Sequence, residues 1–387
     1  MRKKLLILCE YFPPAEKAGG PLRTIEAVAS ILSEGYNVYV IAKGYDFLSA
    51  DPLPRINLNS WNKRDQYQVY YTDKFSLNFS KYAKLVLEVE PDLIFLNSFF
   101  SPRFSFIPLI VSLLRKSQFL CCPRGELSKP ALKIKPIRKM IYLFLTSFIW
   151  KKNVSFVASS EKEKVEIVQS LKLNPAQCFV GAEPTLEKLY PFSVPEKETN
   201  KLSVLFLARL NPIKNLDFAI SCVSECEDIQ MDIFGPINSQ LEQNYWAECV
   251  KLIKKNNLLR RVRYHGLIPN EKVSELISKH HLLFAPSASE NFGHSILESL
   301  SIGRPVLIGD QTPWSEVQNM GAGYAMPLSD KKPFIDALKF FQACSKDEFG
   351  EICERAKAAS RLLYSNSDAI ASWHEIIKQK LAQEGSI

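Results

Sequence analysis

The stretch from His281 to Gly309, HLLFAPSASENFGHSILESLSIGRPVLIG, leaves the chain few choices of fold. Leu282 to Ala285 is a short, uninterrupted apolar run, which reads as a strand covered on both faces. The loop residues Pro286, Ser287, Ala288 and Ser289 follow, after which Ile296, Leu297 and Leu300 recur at helical spacing. This pattern predicts a helix that starts near Asn291 or Phe292 and is stopped by Gly303. Arg304-Pro305 then leads into a second buried strand, Val306 to Ile308. Strand, helix and strand in this order build a parallel sheet, and such sheets take ligands beyond the carboxyl ends of their strands. The loop 286–293 is therefore the first place to look for a site.

Two carboxylates mark that loop: Glu290 just ahead of the helix and Glu298 eight residues later, with Gly293 between them. At the helical rise per residue, they would stand roughly 10–12 Å apart along one helix, about the span from hexose to ribose in a nucleotide-sugar. The free N–H groups of Asn291, Phe292, Gly293 and His294 would lie between them at the positive end of the helix dipole, where a diphosphate is held. A carboxylate accepts from two vicinal hydroxyls, so one glutamate suits a sugar and the other a ribose. Taken singly, Glu290 would only favour the dipole and Glu298 would be a solvated helical side chain. The glycine that they bracket at a strand-to-helix turn favours the ligand reading.

ENFGHSILE followed by SLSIGRPVLIG resembles the E-x7-E block of the retaining, group 1 nucleotide-sugar glycosyltransferases of the GT-B fold. The resemblance implies an α/β chain of two Rossmann-like domains whose parallel sheets face across a cleft, with a C-terminal helix returning to the first domain. By the same resemblance, Glu290 contacts the transferred sugar, Glu298 the ribose, and the amides of 291–294 the phosphates. Arg209 and Lys214, in R-x4-K after the strand Ser203 to Ala208, resemble the family's diphosphate clamp. Two fixed cations on the leaving phosphate are electrostatic catalysis that needs no metal or other cofactor. D-x-D, the metal-holding pair of the other major transferase fold, is absent from the chain.

The first half supplies weaker signals. Gly19-Gly20, between the first strand and a helix with Pro21 in its first turn, lets backbone approach donor phosphates closely. Related enzymes carry a histidine after the strand that ends at Leu96, but all five histidines here lie beyond residue 260, so Asn97 or Ser98 is expected to replace it or the contact is absent. The turn Pro123-Arg124-Gly125-Glu126-Leu127 resembles bacterial members that build surface polysaccharides. Arg124 would meet donor phosphate and Glu126 an acceptor hydroxyl, or the two form a surface ion pair of little weight. Residues 44–80 show little periodicity and give no element.

The expected division is a first domain over 1–185, a linker over 186–201, a second domain over 202–365 and a tail helix over 366–387. Nine cysteines without a C-x-x-C pair suit reduced thiols. The apolar run after Arg2-Lys3-Lys4 is too short for a signal peptide and reads as the first strand. The first 200 residues carry all of the positive excess, and residues 101–150 hold nine basic side chains against one acidic. No nucleic-acid motif accompanies them, so lipid headgroups or lipid-linked acceptors are the expected partners. Residues 129–152 read either as a basic amphipathic helix at a membrane interface or as a buried helix, since 141–149 is apolar on nearly every face. The expectation is a metal-independent glycosyltransferase of bacterial surface polysaccharide assembly. It would use a nucleoside diphosphate-sugar donor and a glycan or lipid-linked glycan acceptor, be cytoplasmic, and touch the inner membrane peripherally through its basic first domain. A catalytically degenerate sugar-nucleotide-binding partner is the alternative. A dinucleotide-dependent oxidoreductase is disfavoured because G-x-G-x-x-G is missing.

Overall fold

Lys4–Leu8 forms the first strand, β1, and its four apolar side chains are fully buried, as in a strand covered by helices on both faces. The computed structural model describes residues 2–17, 20–73, 77–112, 118–133, 135–185 and 192–382. Contacts divide the chain into one unit of Met1–Glu187 with Asn366–Ile387, and another of Lys188–Ser365.

After β1 the first unit runs α1 (Gly20–Ser33), β2 (Asn37–Lys43), β3 (Trp61–Lys63), β4 (Gln68–Thr72), α2 (Phe79–Val89), β5 (Leu93–Leu96), α3 (Ile107–Ser112) and β6 (Gln118–Cys121). It continues with α4 (Lys129–Leu132), α5 (Pro136–Asn153), β7 (Val154–Ala158), α6 (Glu161–Leu171) and β8 (Cys178–Val180). The strand order is β3-β4-β2-β1-β5-β6-β7-β8, parallel except for β3. The order reverses direction between β1 and β5, so the carboxyl ends of those two strands form the crevice of this sheet.

Two readings of this unit are corrected. Residues 44–80 do hold secondary structure: β3 and β4 pair there, and β4 lies parallel to β2. Their buried side chains are largely tyrosine and threonine, which dilute an apolar signal. The helix α5 is not buried all round. Thr146 and Trp150 are covered, but Ile137, Met140, Ile141, Phe144, Leu145 and Phe148 face outward.

The second unit contains β9 (Leu202–Leu207), α7 (Leu216–Ser224), β10 (Ile229–Phe234), α8 (Gln240–Lys255), β11 (Val262–Tyr264), α9 (Val273–Ser278) and β12 (Leu282–Ala285). Then come α10 (His294–Ile302), β13 (Val306–Gly309), β14 (Gly323–Met326), α11 (Lys332–Ala343) and α12 (Lys346–Leu363). Its sheet is wholly parallel in the order β11-β10-β9-β12-β13-β14, with the reversal between β9 and β12. Arg304, 1 % exposed, ties residues 193–304 into this unit by donating to the carbonyls of Ser193, Ser278 and His280. The last helix, α13 (Asn366–Ala382), belongs to the first unit. Trp373 is fully buried against Phe95 there and donates its indole N–H to Ala182 O at 2.9 Å.

Candidate active site

Because β9 and β12 are neighbours, the loops at their carboxyl ends meet. Ala288 N–H donates to Ile213 O at 2.8 Å, stitching the two loops together. This brings Lys214 to Glu290, 76 positions apart in sequence, with Nζ donating to Oε1 at 2.5 Å. Ser287 Oγ donates to the same Oε1 at 2.8 Å. The Lys214 and Glu290 side chains are 19 % and 13 % exposed, so solvent still reaches both. An ammonium has three donors and a carboxylate about four acceptor positions. Each partner therefore keeps hydrogen-bonding capacity for a ligand.

The turn that follows differs from the expected one. Gly293 is the N-cap of α10, with φ +83°, and the helix begins only at His294. Glu290, Asn291 and Phe292 thus lie in the loop, and Glu290 and Glu298 do not share a helix. The left-handed glycine is the physical reason, because a residue at positive φ cannot continue a right-handed helix backwards. The turn is packed from beneath: Trp314, 3 % exposed, donates its indole N–H to Phe292 O, and the Phe292 ring touches His294, Trp314 and Tyr364 edge-on. Glu298 sits one turn inside α10, half-buried.

Arg209, at the end of β9, turns its Nε to Glu242 Oε1 at 3.6 Å. Glu242 is buried because it closes the capping box of α8 with Ser239, so α8 holds one of the two expected cations. Between the cations, Asn211 Oδ1 is buried without a hydrogen-bond partner among the described residues. Ser287, Asn211 and Glu242 were missed in the sequence. Only the S-A-S-E spacing hints at Ser287, and nothing local marks Glu242. Among the described residues no three His, Cys, Asp or Glu side chains converge as metal ligands.

In the first unit the strand-end residues form a buried polar network. Arg124 donates Nε to Asn97 Oδ1 at 2.9 Å and Nη1 to Glu183 Oε1 at 3.1 Å, while Thr24 donates to the other Glu183 oxygen at 2.7 Å. Glu126 accepts from Ser98 Oγ and from the amides of Phe99 and Phe100, at 2.7–2.9 Å. Burial pushes the Glu126 carboxyl up from its usual range against the opposing pull of those amides. A surface Arg124–Glu126 pair is thus overturned: the Arg124 side chain is buried, Glu126 is half-buried, and each has other partners. Asn97, Ser98, Arg124 and Glu126 are brought together here, Gly20 opens α1, and Gly19 lies outside the described residues. Arg124 Nη2 is buried without a partner among the described residues. A cavity of about 240 Å³ opens at the ends of β2 and β4, lined by Tyr11, Lys43, Tyr45, Asp46, Arg103 and Phe104 among others. Sequence reasoning missed it because most of its wall comes from the aperiodic stretch 44–80.

Both units are doubly wound α/β layers, and the chain superposes over nearly its whole length on solved structures. A sucrose-phosphate synthase from Thermosynechococcus elongatus superposes with a TM-score of 0.77 at 16 % identity, covering 99 % of this chain and 100 % of that one. The Anabaena protein HepE, solved in complex with UDP and glucose, gives a TM-score of 0.74 at 16 % identity over 97 % of this chain and 100 % of its own. The fold is GT-B. Residues 187–361 match the family Glycosyl transferases group 1, so the chain carries a group 1 glycosyl transferase domain. In sequence, an uncharacterised 41.2 kDa protein in the cps region of Klebsiella pneumoniae is 21 % identical over 251 residues, 63 % of this chain and 66 % of that protein. The chain thus spans less than two thirds of that relative's length, and less of the next ones.

Proposed function

We propose that the chain transfers a sugar, with retention of anomeric configuration and without a metal, from a nucleoside diphosphate-sugar to a hydroxyl of a growing surface glycan carried on a lipid. The observation that carries the reading is the Lys214–Glu290–Ser287 cluster at the β9/β12 crevice, followed at once by the left-handed Gly293 turn. Glu290, oriented by Lys214 and Ser287, accepts from hydroxyls of the transferred sugar. The amides of 291–294 and the cations Arg209 and Lys214 take the diphosphate, and Glu298 takes the ribose. The bond from the anomeric carbon to the phosphate oxygen breaks, the acceptor oxygen bonds to that carbon on the same face, and its proton passes to the leaving phosphate. Positive charge held beside that phosphate stabilises the departing anion. On the acceptor side, Asn97, Ser98, Arg124 and Glu126 support the strand ends, and the cavity at Lys43 and Tyr11 offers aromatic, cationic and anionic walls to a glycan.

HepE was solved with UDP, which makes UDP-sugars the first donors to try, and the relative in a cps region supports a polysaccharide acceptor in a bacterium. No helix among the described residues is long and apolar enough to cross a membrane, which fits peripheral contact at the cytoplasmic face of the inner membrane. The test is calorimetric binding of UDP-, GDP- and ADP-sugars to the wild type and to Arg209→Ala/Lys214→Ala. One donor is expected to bind and to be lost in the double variant. Binding of no donor would replace this reading by that of a degenerate GT-B protein acting through partners.

A further inference from the structure

Seventeen large apolar side chains are exposed among the described residues, and six of them lie on the single helix α5: Ile137, Met140, Ile141, Phe144, Leu145 and Phe148. At 100° per residue these six fall within one arc of roughly 140°, while Tyr142, Thr146 and Trp150 occupy the opposite side. The inner side is fully engaged. Trp150 is fully buried with its ring tilted against Phe99 at 4.5 Å, Tyr142 donates to Phe99 O at 3.1 Å, and Lys139 folds inward over Phe100 with its Nζ on Ala131 O. The outer side is open to a degree unusual for such residues: Phe144 is 84 % exposed, Phe148 73 % and Leu145 68 %. A contiguous apolar face of this kind has an occupant.

Charge says which. Between Glu126 and Glu161 there is no acidic residue, whereas Lys133, Lys135 and Arg138 stand just before or in the first turn of α5 and Lys151 and Lys152 in its last turn. Apolar side chains in the middle of a helix with cations at both ends match a helix lying in the plane of an anionic bilayer. Its phenylalanines enter the acyl boundary and its lysines meet headgroup phosphates. An 18-residue helix lies along the surface for about 27 Å. A protein partner burying the same face would have to counter five like charges, which no acidic residue between Glu126 and Glu161 offsets.

We infer that the outward face of α5 is the membrane-docking surface of this protein, specific for anionic phospholipid; the inference rests on the lipid-carried acceptor proposed above. Co-sedimentation with mixed phosphatidylglycerol–phosphatidylcholine vesicles and with pure phosphatidylcholine vesicles tests it. The wild type is expected to partition onto the anionic vesicles and weakly onto the neutral ones. Phe144→Asp/Phe148→Asp alters only exposed positions and should lower the anionic partition coefficient on the order of a hundredfold, with nucleotide-sugar binding unchanged. Lys151→Glu/Lys152→Glu should reduce the preference for anionic over neutral lipid at least about tenfold, and an unchanged preference would overturn the inference. Wild-type indifference to anionic vesicles, or equal partitioning of the Phe144→Asp/Phe148→Asp variant, overturns the inference. So does a wild type that is dimeric by analytical ultracentrifugation without vesicles and is made monomeric by that variant, since the face then belongs to a second copy. Vesicle binding by a chain that takes no donor sugar would keep the docking surface and remove the transferase reading instead.

Discussion

Gly293→Ala isolates the feature on which the donor side turns. The native φ of +83° is open to glycine, but costs alanine roughly 1–2 kcal/mol. The new Cβ would stand 2.9 Å from Ile296 Cδ1 and 3.3 Å from Trp314 Nε1, so the isoleucine tip must leave its rotamer at about 0.5–1.5 kcal/mol. Alanine's smaller unfolded-state entropy returns about 0.4–1 kcal/mol. The balance is a destabilisation of about 0.5–3 kcal/mol, or roughly 1–12 °C in the Tm of a unit of this size. Gly303→Ala serves as the control. It also has a left-handed φ, and its Cβ would lie 2.5 Å from Phe192 Cε2 and 3.1 Å from the Cys353 carbonyl, so it should cost at least as much, but at the far end of α10. Differential scanning calorimetry and nucleoside diphosphate titration of both variants separate stability from site geometry. Gly293→Ala should lose a further five- to thirtyfold in nucleotide affinity, the worth of one or two misdirected amides, and Gly303→Ala should lose none. Equal stability loss with wild-type affinity in both would show that Gly293 is a helix cap and nothing more.

Three further outcomes follow from the same geometry. Glu298→Ala should weaken nucleoside diphosphate binding by about 1.5–3 kcal/mol, and unchanged affinity in calorimetry would remove it from the ribose. Transfer measured in excess chelator should keep most of its rate, whereas a complete loss restored by magnesium would refute the metal-independent reaction. His281 accepts from Ser203 N–H through Nδ1 and donates to Glu196 O through Nε2, both as neutral imidazole, and burial holds its pKa below the ordinary value. A folded-state pKa lowered in this way leaves stability intact above the unfolded value of about 6.5 and removes it as pH falls below that point. Guanidinium unfolding of the second unit should therefore weaken between about pH 7 and pH 5.5, and His281→Gln should flatten that slope; an unchanged slope would assign it elsewhere.

What was legible in the sequence was local. β12, the 286–293 loop, α10 and β13 are consecutive, so apolar runs and a stop glycine located them, whereas R-x4-K after β9 was picked out by its resemblance to the family's diphosphate clamp. The start of α10 was placed two or three residues early because a left-handed glycine and an ordinary first-turn residue leave the same letter in a sequence. β4 and β14 were not seen, since strands of four or five residues with tyrosine and glycine carry no periodicity. The partners of the site residues were illegible for a different reason. Glu242 reaches Arg209 from α8, Glu183 reaches Arg124 from beyond β8, and Ser98 meets Glu126 across adjacent strand ends. Each pairing is set by sheet order, which only the fold supplies.

The charge of the first half illustrates the same limit in a way that bears on function. From composition, the basic excess was one undivided quantity that pointed to lipid headgroups or lipid-linked acceptors without saying which cations would meet them. The structure splits it. Arg124 is buried and committed to Asn97 and Glu183, and Lys43 is paired with Glu10 at 2.8 Å beside the cavity. Lys3 is spent on Asp92. What remains without acidic neighbours in sequence is the set at the two ends of α5, next to the exposed apolar arc. Each surface cation near an anionic leaflet contributes about 1 kcal/mol, and the phenylalanines contribute through the area they bury. Five cations at the two ends of α5 and two exposed phenylalanines along it are enough for reversible anchoring. An acceptor carried on a lipid then needs no tight pocket of its own: confining the enzyme to the same surface raises the effective acceptor concentration, so a modest, open cavity suffices.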